Sequence, residues 1–352
     1  MPRAGSLDRL RRTTEPLAPP APGEARVAVK AIGLNFADVF ACLGLYSATP
    51  KGSFVPGLEF AGILEDAEPR ARNDAPALLP GTPVMGVTRF GAYTTALNVH
   101  PAYLRPMPPG WSFEEGAAFP VQALTAWYGL VRLARVCRDE IVLVHSAAGG
   151  VGLNALRLLD AMGARVIATV GGAAKQAFLV EHAGLDPRRI IVRNRASFGA
   201  QLDSALESAG APGLDVVFDA IAGPYFRPAF ERLRPEGRHV IYGAADFMPR
   251  GARAGYLRLL PRYLRRPRLD PVQMIGQNRS VLAFNLIWLW GHVERLAAGY
   301  TALDGLITAP AFVGRTFPFD AVPAALRWLQ RGESVGKIVV TVDTPGQVRN
   351  RQ

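Results

Sequence analysis

The sequence is poor in cysteine, with Cys42 and Cys137 as the only thiols in 352 residues. Two cysteines can build neither a disulfide framework nor a cysteine-based zinc module. The longest apolar run near the C-terminus, residues 281–290, falls far short of the ~20 residues that span a bilayer. Residues 1–22 mix arginine with acidic residues and contain no apolar segment typical of a secretory signal. These absences predict a protein of the cytoplasm.

Lysine is scarce as well, so the formal net charge of +11 comes from arginine, which is spread over the whole chain. No zinc-finger, RNP-like or basic-zipper pattern accompanies this charge, and nucleic acid is therefore not an expected partner. The densest group is the Arg250–Arg268 cluster, in which seven arginines are opposed only by Asp270. We interpret this cluster as a solvated helical face, with a site for an anionic surface or lipid as the alternative.

Two patterns divide the chain. Up to about residue 110, short alternating segments separated by glycine and proline indicate a β-rich domain, with a strand at 25–31 and a helical turn at 36–43. From Ser112, which forms a capping-box pattern with Glu115, strands and helices alternate. We predict strands at 140–145, 165–170, 190–192, 215–219, 239–242 and 280–286, and helices at 149–162, 173–183 and 198–208. A helix at 321–331 and a last strand at 337–342 follow. Apolar strands between helices predict a parallel sheet covered on both faces.

The most informative motif is the glycine turn, Ala147-Ala148-Gly149-Gly150-Val151-Gly152, between a predicted strand and a predicted helix. Gly149 allows the backbone to approach a pyrophosphate, and Gly152 allows the helix to pack on the strand. The helix N-terminus adds free N–H groups and the positive end of the helix dipole. Because Ala147 stands where the fingerprint has its first glycine, the motif reads A-x-G-x-x-G. Its place between strand and helix predicts a dinucleotide site.

The end of the second predicted strand of this unit carries no acidic residue. An NAD site would place Asp or Glu there to bind the ribose 2′-hydroxyl. Residues 170–175 instead read Val-Gly-Gly-Ala-Ala-Lys. Lys175, assisted by Arg193 or Arg195, would neutralise a 2′-phosphate, which predicts NADP(H) as the cofactor. The alternative is that Lys175 is an ordinary surface lysine.

Three motifs together resemble the medium-chain dehydrogenase/reductase superfamily, and within it the zinc-independent quinone oxidoreductase branch. They are Gly33-Leu-Asn-Phe-Ala-Asp38, Val55-Pro-Gly-Leu-Glu-Phe-Ala-Gly62 and the glycine turn. Residues 242–245 and 278–286 are similar to the subgroup of vesicle amine transport protein homologues. The resemblance implies an α/β fold in which a Rossmann domain with a doubly wound parallel sheet, residues 118–287, interrupts a GroES-like β-rich domain, residues 1–117 and 288–352. It also implies a homodimer formed by edge strands.

The resemblance further implies the residues of the site. The nucleotide would contact Tyr46, Thr125, Ala148, Gly149, Gly150, Val151, Gly171, Lys175, Arg193, Ile241, Tyr242, Gly243, Ala244, Phe284, Asn285, Leu286 and Lys337. Asn35, Tyr46 and Thr125 are the expected catalytic residues, because their positions in relatives line the nicotinamide cleft and each can donate a hydrogen bond to a carbonyl oxygen. Their alternative roles are a turn for Asn35, a loop aromatic for Tyr46 and helix packing for Thr125. Asp38 is expected to cap a helix or loop. Where relatives often read Asn-Tyr-Arg after the third strand, this chain reads Val192-Arg193-Asn194.

No metal is expected. Zinc-dependent members of the superfamily carry a cysteine ahead of the aspartate in the first motif and a histidine in the second. Asn35 and Leu58 stand near those places here, and neither can replace a thiolate or an imidazole around zinc. The five histidines are scattered, with no paired spacing.

The sequence therefore predicts an NADPH-dependent reductase of small-molecule quinones or α,β-unsaturated carbonyl compounds. Two alternatives stay open. One is a nucleotide-binding scaffold or membrane-associated regulatory protein with little turnover, for which the Arg250–Arg268 cluster would serve. The other is the enoyl reductase of a polyketide pathway, which shares every motif. A hydrolase is not supported, because Ser146 lacks the G-x-S-x-G context of a nucleophile.

Overall fold

The computed structural model describes residues 1–67 and 78–342, so the last ten residues of the expected GroES-like domain lie outside the described part. The strands are β1 (Ala25–Gly33), β2 (Glu59–Ala67), β3 (Pro83–Val87), β4 (Ala96–Val99), β5 (Leu104–Pro106), β6 (Ile141–Val144), β7 (Arg165–Val170), β8 (Ile190–Val192), β9 (Leu214–Asp219), β10 (Leu233–Ile241), β11 (Ser280–Ala283), β12 (Val313–Pro318) and β13 (Lys337–Thr341). The α-helices are α1 (Phe36–Leu43), α2 (Phe113–Ala117), α3 (Pro120–Trp127), α4 (Gly150–Ala161), α5 (Ala173–Ala183), α6 (Phe198–Ser208), α7 (Phe226–Glu231), α8 (Tyr256–Leu264), α9 (Pro271–Gln277), α10 (Val293–Asp304) and α11 (Val322–Gln330).

One sheet has six parallel strands in the order β11-β10-β9-β6-β7-β8. This is the strand order of a doubly wound nucleotide-binding domain, and it confirms the predicted fold class. All four residues of β6 are buried, as expected for a central strand with helices on both faces. The order along the chain reverses between β6 and β9, which opens a crevice outside the carboxyl ends of these two strands.

The second sheet has seven strands and is mostly antiparallel, in the order β12-β13-β1-β2-β3-β5 with β4 also paired to β1. The C-terminal strand β13 pairs with β1, so that Ala31 faces Thr341 and Gly33 faces Val339. The tail of the chain thus completes the sheet begun by the N-terminal segment, as the resemblance implied. The boundaries chosen for the two domains, at residues 117 and 288, stay a prediction.

The periodic segments of the parallel domain lie where the sequence predicts them. The predicted ranges 165–170, 173–183, 190–192 and 198–208 coincide with β7, α5, β8 and α6. Helix α2 begins with the predicted capping box, in which Ser112 Oγ accepts from the Glu115 N–H at 3.2 Å and the Glu115 carboxylate accepts from the Ser112 N–H at 2.8 Å. The strand predicted at 280–286 is too long, because it ends at Ala283 and a 3-10 turn, Leu286–Leu289, follows.

Helices α7, α9 and α10 and strand β12 are absent from the sequence prediction, whereas α8 lies within the Arg250–Arg268 cluster that we interpret as a helical face. Helices α8 and α9 lie largely on the surface between β10 and β11, whereas α10 joins the two domains by packing on α3. Gly299 makes that packing close, since a Cβ there would lie 2.8 Å from Leu124 and 2.9 Å from Trp127. Strand β12 extends the antiparallel sheet beside β13. Within residues 1–67 and 78–342, no helix has the length and apolar character needed to cross a membrane.

Candidate active site

A cavity of about 1730 Å³ lies at the carboxyl ends of the parallel strands, between the two sheets. Every residue that the sequence predicts for the catalytic or cofactor site lines this cavity. The predicted residues come from nine separate stretches of the chain, which the fold brings to the crevice at the reversal of strand order. The prediction of one common site is therefore consistent with the structure, whereas the role of each residue stays a prediction.

The glycine turn leaves β6 and leads into α4 at the back of the cavity. Gly149 has an extended backbone and precedes the first helical residue, so the N–H groups at the start of α4 face the space before the turn. A Cβ on Gly152 would lie 2.5 Å from the Ala147 carbonyl oxygen, so only glycine allows α4 to pack this closely on the strand. A Cβ on Gly150 would lie 2.8 Å from Gln122 Oε1. This close packing is the arrangement predicted from the motif.

Two cations stand beside the turn at the ends of β7 and β8. Lys175 on α5 donates to the Gly332 carbonyl at 2.7 Å, and Arg193 donates to Thr169 Oγ1 at 2.8 Å. Burial, together with the adjacent guanidinium of Arg193, lowers the pKa of Lys175 to about 8. Glu333 also lines the cavity and opposes this shift. The structure thus places Lys175 and Arg193 together in one electropositive corner.

The floor of the cavity is a buried network around Glu59. Its Oε1 lies 2.5 Å from Lys337 Nζ and accepts from Asn35 Nδ2 at 2.9 Å, while its Oε2 accepts from the Val121 N–H at 2.8 Å. Gln122 Nε2 adds a longer bond to Oε1, at 3.3 Å. Burial lowers the pKa of Lys337, and the adjoining carboxylate of Glu59 opposes this effect. Sequence analysis missed Gln122 and gave Glu59 no role beyond its place in a motif.

The side-chain amide of Asn35 is held within this network. Its two amide hydrogens are donated to Glu59 Oε1 at 2.9 Å and to the Gly33 carbonyl at 3.3 Å. Its Oδ1 accepts from Gln122 at 2.7 Å and from Lys337 at 2.8 Å. Both amide hydrogens of Asn35 are thus engaged within the protein, and its predicted catalytic role stays a prediction.

Asp38 caps the first helix as expected. Its Oδ2 accepts from the Asn35 backbone N–H at 2.8 Å and from the Tyr93 hydroxyl at 2.9 Å. The carboxyl group is fully buried, and burial raises its pKa to about 7 despite these two bonds. Asp38 therefore holds the start of α1 against the sheet below it.

Tyr46 and Thr125 present hydroxyl groups to the cavity. Tyr46 donates to Asn285 Oδ1 at 2.8 Å, and burial raises the pKa of its phenol to about 12. The Tyr46 hydroxyl therefore stays protonated at neutral pH and carries a proton that it can donate in a hydrogen bond. In the described part of the chain, no hydrogen bond engages the Thr125 hydroxyl, although the residue is nearly buried. These two groups are the candidates for polarising a carbonyl oxygen.

The wall opposite α4 is aromatic. Tyr242 stacks on Phe218 with ring centroids 4.2 Å apart, and Phe284 packs beside Tyr128 at 5.0 Å. Gly243 passes close to the neighbouring strand, since a Cβ there would lie 2.4 Å from the Ala220 carbonyl oxygen. Segments 241–244 and 284–286 therefore form one wall of the cavity, at the ends of the adjacent strands β10 and β11.

The region where zinc-dependent relatives hold metal is filled here by protein donors. Both carboxylate oxygens of Glu59 already accept hydrogen bonds, and Leu58 is buried among apolar side chains. Among the residues that the structure describes, no group of three or more His, Cys, Asp or Glu side chains could hold a metal ion. The donor set therefore does not fit a zinc ion.

The Glu59 network yields a stability prediction. Lys337→Met should lower the free energy of unfolding by about 3–5 kcal/mol, because it leaves the buried Glu59 carboxylate without its counter-charge. Glu59→Gln in the same chain should restore a large part of that loss, because the amide removes the orphaned charge and keeps an acceptor. Urea unfolding followed by circular dichroism measures both. Lys51→Met, at an exposed position, is the control, and a loss for Lys337→Met no larger than the control's would contradict the prediction.

Comparisons with known proteins agree with this geometry. Residues 150–269 match the family model described as zinc-binding dehydrogenase. The chain is 34% identical over 331 residues to the spectinabilin polyketide synthase system protein NorB of Streptomyces orinoci, covering 93% of this chain but only 14% of that protein. It is 30% identical over 341 residues to the synaptic vesicle membrane protein VAT-1 homolog of Rattus norvegicus, covering 96% of this chain and 81% of the relative.

Two solved structures are similar over almost their whole length. The quinone oxidoreductase from Thermus thermophilus has 28% identity and a TM-score of 0.74, covering 96% of this chain and 99% of that chain. The CurK enoyl reductase has 26% identity and a TM-score of 0.77, covering 97% of both chains. With this fold, and with VAT-1 similarity over four fifths of the relative's length, the chain belongs to the medium-chain dehydrogenase/reductase superfamily, in the zinc-independent quinone oxidoreductase branch close to the VAT-1 homologues.

Proposed function

We propose that this protein is an NADPH-dependent reductase that transfers hydride to a quinone or an α,β-unsaturated carbonyl compound, without zinc. One observation carries the proposal: the glycine turn, the Lys175–Arg193 corner and the hydroxyl groups of Tyr46 and Thr125 all face one cavity. The Thermus thermophilus relative was solved in complex with NADPH, which supports the same cofactor here.

The residues of the cavity fit a dinucleotide phosphate. The N–H groups at the start of α4 would hold the pyrophosphate, because a helix N-terminus offers free donors and positive dipole charge. Lys175 and Arg193 would hold the 2′-phosphate, since both are cations and no acidic residue stands at the end of β7. Bound NADPH would supply the hydride, and the protein's contribution is to bind, orient and exclude water.

The hydroxyl groups supply the electrostatic part of the reaction. Hydride addition to a carbonyl compound builds negative charge on its oxygen, and a fixed donor aimed at that oxygen lowers the barrier. Thr125 is fixed by the helix on which it lies, whereas the hydroxyl proton of Tyr46 is donated to Asn285 and would have to turn from it to a substrate oxygen. The floor beneath them neutralises its own charges, since Glu59 is paired with Lys337. We therefore assign polarisation of the substrate oxygen to Tyr46 and Thr125.

Cofactor preference tests the cationic corner. Lys175→Glu should raise the Kd of NADPH by about 10- to 100-fold, because it replaces a charge-assisted contact by repulsion, and should leave the Kd of NADH nearly unchanged. Isothermal titration calorimetry measures both. The Lys175 charge is present below its folded pKa of about 8, so wild-type NADPH affinity should fall as the pH rises through that value. Lys51→Glu makes the same charge change at an exposed site and is the control. Equal losses for NADPH and NADH would remove Lys175 from the 2′-phosphate site.

Turnover tests the hydroxyl groups. Thr125→Val should lower kcat/KM for reduction of a quinone or enone by about 10²-fold, with the Kd of NADPH unchanged, because the lost donor acts mainly in the transition state. NADPH oxidation is followed by its loss of near-ultraviolet absorbance with a quinone, an enone and an enoyl thioester. Thr301→Val, on the exposed face of α10, is the control. A Thr125→Val enzyme as active as wild type would refute the assignment, and the absence of turnover in wild type would refute the reductase.

The same cavity supports a narrower candidate, the enoyl reductase of a polyketide pathway. NorB belongs to a polyketide synthase system and CurK is an enoyl reductase. The reaction has the same electrostatic requirement, because an enoyl thioester also gathers negative charge on its carbonyl oxygen. Faster turnover of the thioester than of the quinone in the assay above would favour this candidate.

A second function is suggested by the outer surface, where α9 and Leu257 of α8 leave apolar side chains uncovered, whereas Tyr256, Leu260 and Tyr263 of α8 line the cavity. Leu257 is 88% exposed, Ile275 77% and Val272 75%. Arginines of the Arg250–Arg268 cluster lie on and beside α8, which is typical of a helix that rests on an anionic membrane. We propose contact with an anionic membrane surface as a second role, separate from turnover.

Flotation with vesicles that contain phosphatidylserine tests this role. Wild type should float with these vesicles, and Arg258→Glu/Arg265→Glu/Arg268→Glu should bind roughly 100-fold more weakly, since each arginine near the surface contributes about 1 kcal/mol. The triple variant Arg3→Glu/Arg11→Glu/Arg12→Glu carries the same change of charge at exposed positions and should behave as wild type. Wild type that stays at the bottom of the gradient would exclude this role.

We also propose a homodimer and a cytoplasmic location. Strand β11 is an edge of the parallel sheet, so its outer hydrogen-bonding groups have no strand partner within the described chain. Pairing of two copies through β11 would continue the sheet across the interface. Cys42 and Cys137 are both free thiols, which suits a reducing compartment.

A further inference from the structure

A row of two buried polar side chains, Thr169 and His145, lies behind Arg193 and is not part of the glycine-turn motif. Thr169 and His145 are both 0% exposed. Thr169 Oγ1 lies 2.8 Å from Arg193 Nη1 on one side and 2.9 Å from His145 Nδ1 on the other. The row therefore connects the wall of the cavity to the interior of the parallel domain.

The parallel sheet creates this row. Strands β6 and β7 pair so that Val144 faces Ala168, which places His145 and Thr169 side by side at the carboxyl ends of their strands. Strand β8 pairs with β7 so that Val192 faces Val170, and Arg193 follows directly. The Arg193 N–H donates to the Val170 carbonyl at 3.0 Å. Three successive strand ends thus align the three side chains.

The directions of the hydrogen bonds follow from what each group can donate. A guanidinium only donates, so Thr169 Oγ1 accepts from Arg193. When the neutral imidazole carries its proton on Nε2, the Thr169 hydroxyl donates its own proton to His145 Nδ1, and the other tautomer reverses the direction of this bond. Burial lowers the pKa of His145 to about 4, so the imidazole is neutral at physiological pH. One hydroxyl therefore links a neutral imidazole to a cation.

Besides Thr169, the Arg193 guanidinium interacts with Tyr225, which together with the charge of Asp219 opposes the lowering of its pKa by burial. Its Cζ lies 5.7 Å from the ring centroid of Tyr225, and within residues 1–67 and 78–342 no carboxylate forms an ion pair with it. The nearby Asp219 is engaged elsewhere, with Oδ2 3.0 Å from His239 Nε2 and Oδ1 accepting from the Ile221 N–H at 2.7 Å. Arg193 thus forms no ion pair with a described carboxylate, while Thr169 and Tyr225 fix where its charge stands.

We propose that Thr169 and His145 are positioning residues that set the preference for NADPH over NADH, because they hold the Arg193 guanidinium in the corner it shares with Lys175. This inference rests on the proposed function, in which that corner binds the 2′-phosphate. NADH carries no phosphate at this position, so the bonds from His145 through Thr169 to Arg193 act on one cofactor only.

A double-mutant cycle tests the connection through binding alone. Thr169→Val keeps the shape of the side chain and removes the hydroxyl, and should raise the Kd of NADPH roughly 2- to 10-fold while the Kd of NADH stays the same. Thr169→Ser should restore the wild-type value. In a chain that already carries Arg193→Gln, adding Thr169→Val should change nothing further, since its effect passes through Arg193. Calorimetric titration with each cofactor gives all of these constants.

His145 supplies a second, independent pair of variants. His145→Asn keeps an acceptor near the position of Nδ1 and should bind NADPH nearly as wild type does. His145→Leu cannot accept from Thr169 and should weaken NADPH binding as Thr169→Val does. Circular dichroism confirms the fold of each variant, and Thr301→Val reports the effect of losing a threonine hydroxyl far from the site. If Thr169→Val fails to fold, the two His145 variants carry the test.

The outcomes separate this inference from the proposed function. Wild type without a preference for NADPH, or an Arg193→Gln variant that keeps the preference, would overturn both. If Arg193→Gln loses the preference while Thr169→Val and His145→Leu keep it, the positioning role is refuted and the function stands. Equal weakening of NADPH and NADH by Thr169→Val would also refute it, because that result indicates a general structural defect.

Discussion

The buried ion pair between Glu59 and Lys337 is the interaction on which the site depends. It joins β2 to β13, so it fixes the C-terminal tail in the N-terminal sheet, and Gln122 connects it to α3 of the neighbouring domain. Burying two charges is costly unless the surrounding groups satisfy them, and Asn35 and the Val121 N–H do so here. The floor of the cavity is therefore rigid and balanced in charge. In our proposal, polarisation of a substrate comes from the walls, where Tyr46 and Thr125 lie.

The charged groups of the electropositive corner have a different kind of partner from those of the floor. On the floor each charge meets its counter-charge inside the protein, whereas Lys175 and Arg193 are held by neutral oxygens of Gly332 and Thr169. Neutral partners fix the position of a cation without neutralising it, so the charge stays available to a bound anion. The charges on the floor of the cavity thus form an ion pair, whereas the cations of the corner are held by neutral oxygens. This arrangement suits a ligand with a neutral reactive group at one end and a phosphate at the other.

Much of the parallel domain could be predicted from the sequence because its signals are local. The alternation of buried strands and helices gave the bounds of β7, α5, β8 and α6 directly, and the spacing of Gly149 and Gly152 gave the turn. Family resemblance supplied the remaining site residues, which lie far apart in the chain. Helix α9 was harder to predict, because its apolar side chains Val272 and Ile275 face outwards and no core-facing stripe marks it in the sequence.

The roles of buried polar residues could not be predicted in the same way. The sequence shows that Asn35 can donate hydrogen bonds, but only the fold brings Glu59 and Gly33 close enough to accept both of them. Thr169 lies in an apolar strand, and its role depends on His145 and Arg193, each of which belongs to a different stretch of chain. Contacts between residues far apart in the chain produce no periodic pattern in the sequence, so the tertiary structure was needed to identify them.

A crystal structure of the protein grown with NADPH tests the central claim most directly. The account predicts that the cofactor lies in the cavity at the carboxyl ends of the parallel strands, with its 2′-phosphate in contact with Lys175 and Arg193 and its nicotinamide end towards Tyr46 and Thr125. A cofactor bound with its 2′-phosphate away from both cations, or a cavity that stays empty at saturating NADPH, would contradict it.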